Sequence, residues 1–376
     1  MAAASLDAVL DRAIATGTLA GAVVAVAARG KPVYLRAAGD LDREAGREMP
    51  SDAIFRLASV TKPIVTVAAF GLAEDGAFTL DAPVTDFLPD FQPRLRNGDP
   101  AAITLRHLLG HTAGLYYRFL GIGGGAYDRA EVSDGLDQPG LSLEENLRRL
   151  ASVPLLFAPG SSWCYSMATD VLAAVLSRVT GMSLPDLIGA RIGSPLDWRD
   201  TGFGVSDSSR LAVPYADGEG GAPVRMGRYH EVPVGKGFLR YVPDRYLDPK
   251  SYPSGGSALN GTATDLLAFF EAVRTHRLLS KESLTLMTRD ILGDSPLPDA
   301  PPGWGFGLGV AVLKDRVPSG TPQANGSFGW GGAYGHTWFV DPVNELTVVS
   351  LTNTAVAGMQ GWFPEAVRDA AYDLLA

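Results

Sequence analysis

The chain has 376 residues, 46% of them hydrophobic, which is enough apolar material for one large domain or two intimate ones. Thirty-two basic against forty-one acidic side chains leave a net charge of −9, and no Lys or Arg cluster interleaves with aromatics, so a nucleic-acid partner is not expected. No apolar run reaches the roughly eighteen residues that span a bilayer, so no membrane partner is expected either.

The N-terminal stretch "MAAASLDAVLDRAIATG" reads as an amphipathic helix carrying acids, without the basic start and unbroken apolar core of a secretory signal. A cytoplasmic protein is therefore expected, and the single cysteine, Cys164, which has no partner for an internal disulfide, fits a reducing compartment. Two apolar runs follow, residues 20–30 and 31–39, joined at Arg29-Gly30-Lys31 as a β-hairpin. Next comes "FRLASVTKPIVTVAAFGLAEDG", in which Ser59 and Lys62 stand three apart at the start of a helical apolar run.

Between about 100 and 200 the periods are helical: "TLRHLLGHT", "LSLEENLRRLASV", "ATDVLAAVLSRVTG" and "SLPDLIGARIG". Two long segments rich in glycine, proline and tyrosine, 116–140 and 214–256, show no period and read as functional lids or walls, or as plain surface loops. Toward the end "GWGFGLGVAVL", "SFGWGGAYGHTWFVD" and "LTVVSLTNT" are short β-rich segments, and "FPEAVRDAAYDLLA" closes with a helix. The order predicts an α+β fold: an antiparallel sheet completed by both ends of the chain and flanked by helices, with a largely helical block inserted. The expected division is 1–85 with 255–376 as the α/β part and 86–254 as the helical part, all one catalytic unit. No internal repeat or low-complexity tail is present.

Three stretches could carry chemistry. Residues three apart on a helix share a face, so Ser59 would have the Lys62 amine beside its hydroxyl. A lysine can take a serine proton only when neutral, a state that burial and nearby positive potential promote. A serine at a helix N-terminus also places its own N–H where an oxyanion would form. Taken alone, the pair reads first as a capping serine and a solvated lysine, and only second as nucleophile and base. The second stretch is "APGSSWCYSMATD" (158–170), where Tyr165 could relay a proton or serve as a half-buried aromatic. The third is "GWGGAYGHTWF" (329–339), whose glycines let a backbone lie close to a ligand.

Together these stretches, with "LDAPVTDFLPDFQPRL", "ITLRHLLGHTAGL", "ENLRRLASVPLLFAPGS", "YPSGG" and "PGWGFG", resemble the family VIII carboxylesterases, esterases with a class C β-lactamase fold. The resemblance runs through nearly the whole chain. It implies that Ser59 is the nucleophile, that Lys62 and Tyr165 are its general base and acid, and that the N–H groups of Ser59 and Ala333 form the oxyanion hole. It also implies that Trp330-Gly331-Gly332 stands where lactamases have Lys-Thr-Gly, and Met167 where they have the asparagine of Tyr-x-Asn. A lysine there would pair with a carboxylate and an asparagine would orient an acyl-amide. Trp330, Gly331 and Met167 are instead expected to line a pocket for a neutral, apolar ester.

The expected activity is therefore hydrolysis of short-chain carboxylic esters through a Ser59 acyl-enzyme, with a small-molecule ester as partner and no cofactor. The rivals are an acyltransferase, a weak cytosolic β-lactamase or peptidase, and a non-enzymatic binding protein. His107 and His111, four apart, could share a helix face as metal ligands, but no H-E-x-x-H glutamate accompanies them and no metal is expected. No serine has glycine at both flanking positions of a G-x-S-x-G elbow. Cys164 reads as a small buried hydrophobe, with a reactive thiol as the alternative.

Overall fold

The computed structural model describes residues 2–218 and 221–375. Helix α1 (Ala2–Ala15) leads into β1 (Gly21–Ala28) and β2 (Lys31–Asp42). The two strands form the expected hairpin, and Arg29 and Gly30 both take positive φ, 52° and 77°, as a two-residue turn between right-twisted strands requires. Every residue of β1 is buried, which is why "GAVVAVAA" reads as an unbroken apolar run: it needs cover on both faces.

On one face that cover comes from both ends of the chain. In the eight-stranded sheet the order is Trp304–Phe306, Ala311–Leu313, Phe328–Gly332, His336–Asp341, Leu346–Thr352, β1, β2 and β3 (Arg47–Glu48). β1 pairs antiparallel with Leu346–Thr352 from Ala22↔Thr352 to Ala28↔Leu346. On one face the alternate residues Ala22, Val24 and Val26 meet Leu6 and Leu10 of α1 and Phe363 and Val367 of the terminal helix Trp362–Tyr372. On the other face helix Ala263–Arg274 lies against β1 and Leu346–Thr352, with Phe270 stacked on Trp338 at 3.9 Å. Each such Val, Leu or Phe side chain, fully buried, stabilises the fold by about 1.5–3 kcal/mol.

Two compact units divide the chain. The first, Met1–Val60 with Gly193–Met226 and Leu259–Ala376, carries the sheet. The second, Thr61–Ile192 with Gly227–Ala258, is mainly helical: α2 (Thr61–Glu74) packs on helices Ala168–Thr180 and Leu184–Ile188. The division falls elsewhere than the expected 85/86 and 254/255. α2 is apolar nearly all round and is buried among helices, whereas 193–226 is tied to the sheet unit by long-range pairing, Tyr215 with Thr354 and Leu211 with Ile54.

The segment 214–256, which shows no period, holds two hairpins: Tyr215–Asp217 with Pro223–Arg225, and His230–Val234 with Gly237–Tyr241. These strands are three to five residues long and interrupted by proline, too short for a period to register. The segment 116–140 is held inside the second unit by buried charge. The Arg118 guanidinium pairs with Asp137, and the N–H groups of Arg118 and Phe119 donate to the Asp134 carboxylate at 2.9 and 3.2 Å. Burial pushes the Asp134 carboxyl up to about 7 against the pull of Arg118. Arg118→Met strands two buried acids and is expected to cost about 3–5 kcal/mol in urea denaturation. Stability within about 1 kcal/mol of wild type, inside the range of an ordinary surface change, would show that the cluster does not hold this segment.

Candidate active site

Phe55 and Arg56 pair antiparallel with Gly261 and Asn260, and the Leu57 N–H donates to the Leu259 carbonyl at 2.9 Å. The strand then breaks into a single 3₁₀ turn, Ala58–Val60, that runs directly into α2. Ala58 sits at φ 46°, a left-handed conformation that costs a residue bearing a Cβ on the order of 1–3 kcal/mol and persists only where the surroundings enforce it. From Ala53 to Phe70 every residue is buried except Ser59. The turn thus presents one polar side chain out of an otherwise sealed stretch.

The surroundings that enforce the turn are in the first unit. Strand Phe328–Gly332 lies so close that a Cβ on Gly332 would stand 2.5 Å from the Leu57 carbonyl oxygen and 3.1 Å from a Val60 methyl. Gly332→Ala must therefore push strand and turn apart, and is expected to lower thermal stability by about 1–3 kcal/mol and ester turnover with it. Unchanged kcat in that variant would show that the spacing does not matter for the reaction. The ring of His336 reaches the short strand that leads into this turn, with Nε2 2.8 Å from the Arg56 carbonyl oxygen, while its Nδ1 accepts from the Thr352 N–H at 3.3 Å. That second bond fixes the tautomer, so Nε2–H is the donor to Arg56. Burial lowers the imidazole pKa to about 4, and the ring is neutral at neutral pH.

Beside this turn stand the glycine-rich residues singled out in the sequence. Trp330 is half-buried, its ring edge-on to Phe306 at 5.4 Å, and it pairs across the strands with Trp338. Gly331 packs near the Met359 thioether, and half-buried Ala333 lies in the turn before His336–Asp341.

In the second unit Lys62 occupies the first turn of α2, three residues on from Ser59, and is only 2% exposed. Its Nζ donates to the Gly256 carbonyl at 2.8 Å and lies over the rings of Tyr117 and Tyr165, 5.1 and 4.8 Å from their centroids. Tyr165 is half-buried, its ring tilted against Tyr117 and His111, each at 5.0 Å. The fold thus brings together Lys62 and Tyr165, which lie about a hundred residues apart in sequence. It adds groups that sequence reasoning missed. Gly256 is the point of convergence: a Cβ there would lie 2.6 Å from Asp170 Oδ2, 2.9 Å from the Tyr117 hydroxyl and 3.5 Å from Lys62 Nζ. Burial pushes the Asp170 carboxyl above its ordinary range, opposed by Ser254 and Lys62. The signals were present as "YPSGG" and as the tyrosine pair after "HTAGL", but neither names a partner.

Two expectations are corrected. Met167, expected to line the ester pocket, has no exposed surface: it flanks the start of helix Ala168–Thr180 and belongs to the core. His107 and His111 do not share a helix face, because the helix ends at Leu109 and His111 takes φ 54°. His107 instead closes a capping box with Thr104, and His111 lies 3.0 Å from the Ser166 hydroxyl, its pKa held well below the usual value by burial and by Lys62. Among the described residues no group of three or more His, Cys, Asp or Glu could hold a metal ion. Cys164 is buried, which pushes its thiol pKa up to about 12 and leaves it a packing residue. No single helix among the described residues is long and apolar enough to cross a membrane.

Comparison with known proteins gives a consistent set of likenesses. The family model described as Beta-lactamase matches residues 6–367. Esterase EstB from Burkholderia gladioli is 49% identical over 373 residues, covering 98% of this chain and 95% of that protein. Lovastatin esterase from Penicillium rubens is 29% identical over 91% of this chain and 90% of its own length. The solved structure of EstCE1, a hydrolase with promiscuous acyltransferase activity, superposes with a TM-score of 0.94 at 42% identity, covering 99% of this chain and 98% of that one.

Proposed function

The chain belongs to the beta-lactamase family and is a carboxylic ester hydrolase, and from that premise we propose that it cleaves short-chain carboxylic esters through an acyl-enzyme on Ser59. The observation that carries the reading is that Ser59 alone keeps partial exposure in a buried stretch, on a turn strained at Ala58.

The Ser59 hydroxyl attacks the ester carbonyl, and its proton passes to Lys62 acting with Tyr165. The N–H groups of Ser59 and Ala333 receive the oxyanion, each such donor contributing about 10²–10³ in rate. Collapse of the tetrahedral adduct expels the alcohol, which takes the proton back from the Lys62–Tyr165 pair. Water, activated by the same pair, then releases the acid and frees Ser59. Trp330 and Gly331 form the apolar wall for the ester, and the cytoplasm is proposed as the compartment.

Acyl transfer to an alcohol is the second reading, favoured by the likeness to EstCE1. It differs only in what attacks the acyl-enzyme. The test is a rate profile over p-nitrophenyl esters of increasing acyl length, run with and without an added alcohol. Turnover falling with chain length supports the proposal, and no turnover on any member would remove it. The share of new ester formed with the alcohol present measures transfer against hydrolysis.

A further inference from the structure

We propose that His336 is a positioning residue for this reaction, setting the separation between the Ser59 turn and the Ala333 turn through its ring bond to the Arg56 carbonyl. The proposal rests on the reading of Ser59 as nucleophile and of the Ser59 and Ala333 N–H groups as the oxyanion pair.

His336 opens the strand that leaves the Ala333 turn, and that turn is pinned from the far side. The Thr352 hydroxyl donates to the Gly335 carbonyl at 2.8 Å. At φ 104°, Gly335 has no room for a side chain: a Cβ would stand 2.2 Å from the Thr354 carbonyl oxygen and 2.4 Å from the Thr352 hydroxyl. The backbone carrying Ala333 is therefore fixed to strand Leu346–Thr352. From this anchor the wholly buried imidazole spans to the other side. Its Nδ1 is held by the Thr352 N–H, its edge packs on Phe55 at 5.8 Å, and its Nε2–H reaches the carbonyl of Arg56, three residues before Ser59.

A neutral imidazole offers one acceptor and one donor on opposite edges, which is what a fixed strut between two backbone segments needs. Both N–H groups proposed to meet the oxyanion are referenced to this one ring. A donor displaced by a fraction of an ångström loses much of its worth, because the charge it meets is developed at a single position.

The experiment compares His336→Gln with His336→Met, side chains of similar length that differ in the amide donor able to reach Arg56. Steady-state kcat and KM on p-nitrophenyl butyrate and the thermal midpoint are measured for each, with Ser59→Ala alongside. H336M is expected to lose about 10- to 100-fold in kcat with KM unchanged, and H336Q to recover most of it. Wild-type kcat in H336M, a fall confined to the thermal midpoint or to KM, or H336Q as slow as H336M would overturn the proposal. Should H336M not fold, His336→Asn replaces it, since its shorter amide can serve Thr352 but falls short of Arg56, and kcat equal to that of H336Q would again overturn the role. If Ser59→Ala retains turnover, the nucleophile reading falls and this proposal with it. If Ser59→Ala is dead while H336M is at full rate, only the positioning role fails.

Discussion

Ser59→Ala is expected to abolish hydrolysis of p-nitrophenyl butyrate, with a loss on the order of 10⁶ in kcat, while the thermal midpoint stays near wild type. Ser59 keeps exposed surface and sits on a turn held by backbone bonds of its neighbours, so losing the hydroxyl leaves the packing as it was. Lys62 is different. It is buried and donates to the Gly256 carbonyl, so Lys62→Ala removes the base and also strands an acceptor, at about 1–3 kcal/mol, and leaves a cavity. Lys62→Met keeps the volume and is the cleaner test of chemistry. A general base contributes about 10²–10⁴ in rate, and because nucleophile and base act on one proton, the double variant Ser59→Ala/Lys62→Met should be no slower than Ser59→Ala alone. A Lys62→Met enzyme that kept more than about a tenth of the wild-type rate would place the base elsewhere. A serine-directed phosphonate should label Ser59 and leave buried Cys164 untouched, as peptide mapping will show.

Ester turnover is expected to exceed turnover of penicillins or cephalosporins by at least about two orders of magnitude. A lactam drug presents a carboxylate, and a hydrogen bond to a charged group is worth roughly 1.5–3 kcal/mol, or about ten- to a hundredfold. Trp330-Gly331-Gly332 offers no cation for it: the indole of Trp330 packs edge-on against Phe306 instead. Only Trp330 bears on this ratio, because Met167 has no exposed surface. On a cephalosporin that also carries an ester side chain, the ester should be cut and the ring left closed. Mass analysis decides it: an opened ring with the ester intact, formed at rates near those on simple esters, would refute the role given to Trp330. Trp330→Lys should move the ratio toward the lactam while costing stability, since it removes an aromatic pair worth about 0.5–1.5 kcal/mol beyond its buried area.

What the sequence determined by itself is whatever repeats within a few residues. The 3.6 period marked α1 and α2, the unbroken run of β1 announced a strand covered on both faces, and Arg29-Gly30 announced the turn after it. Ser59 and Lys62 were legible for the same reason: three residues apart at a helix start is a local pattern. Collinear fragments then tied Tyr165, Trp330 and Ala333 to them. The tertiary structure alone decided what those residues meet. The strain at Ala58, the burial of Met167 and the transfer of 193–226 to the sheet unit leave no periodic trace. The Lys62–Gly256 bond closes over 194 positions and the His336–Arg56 bond over 280. A hydrogen bond constrains two residues in space, and the chain between them is free to take any sequence that folds, so nothing local in the sequence records which carbonyl a buried donor will find.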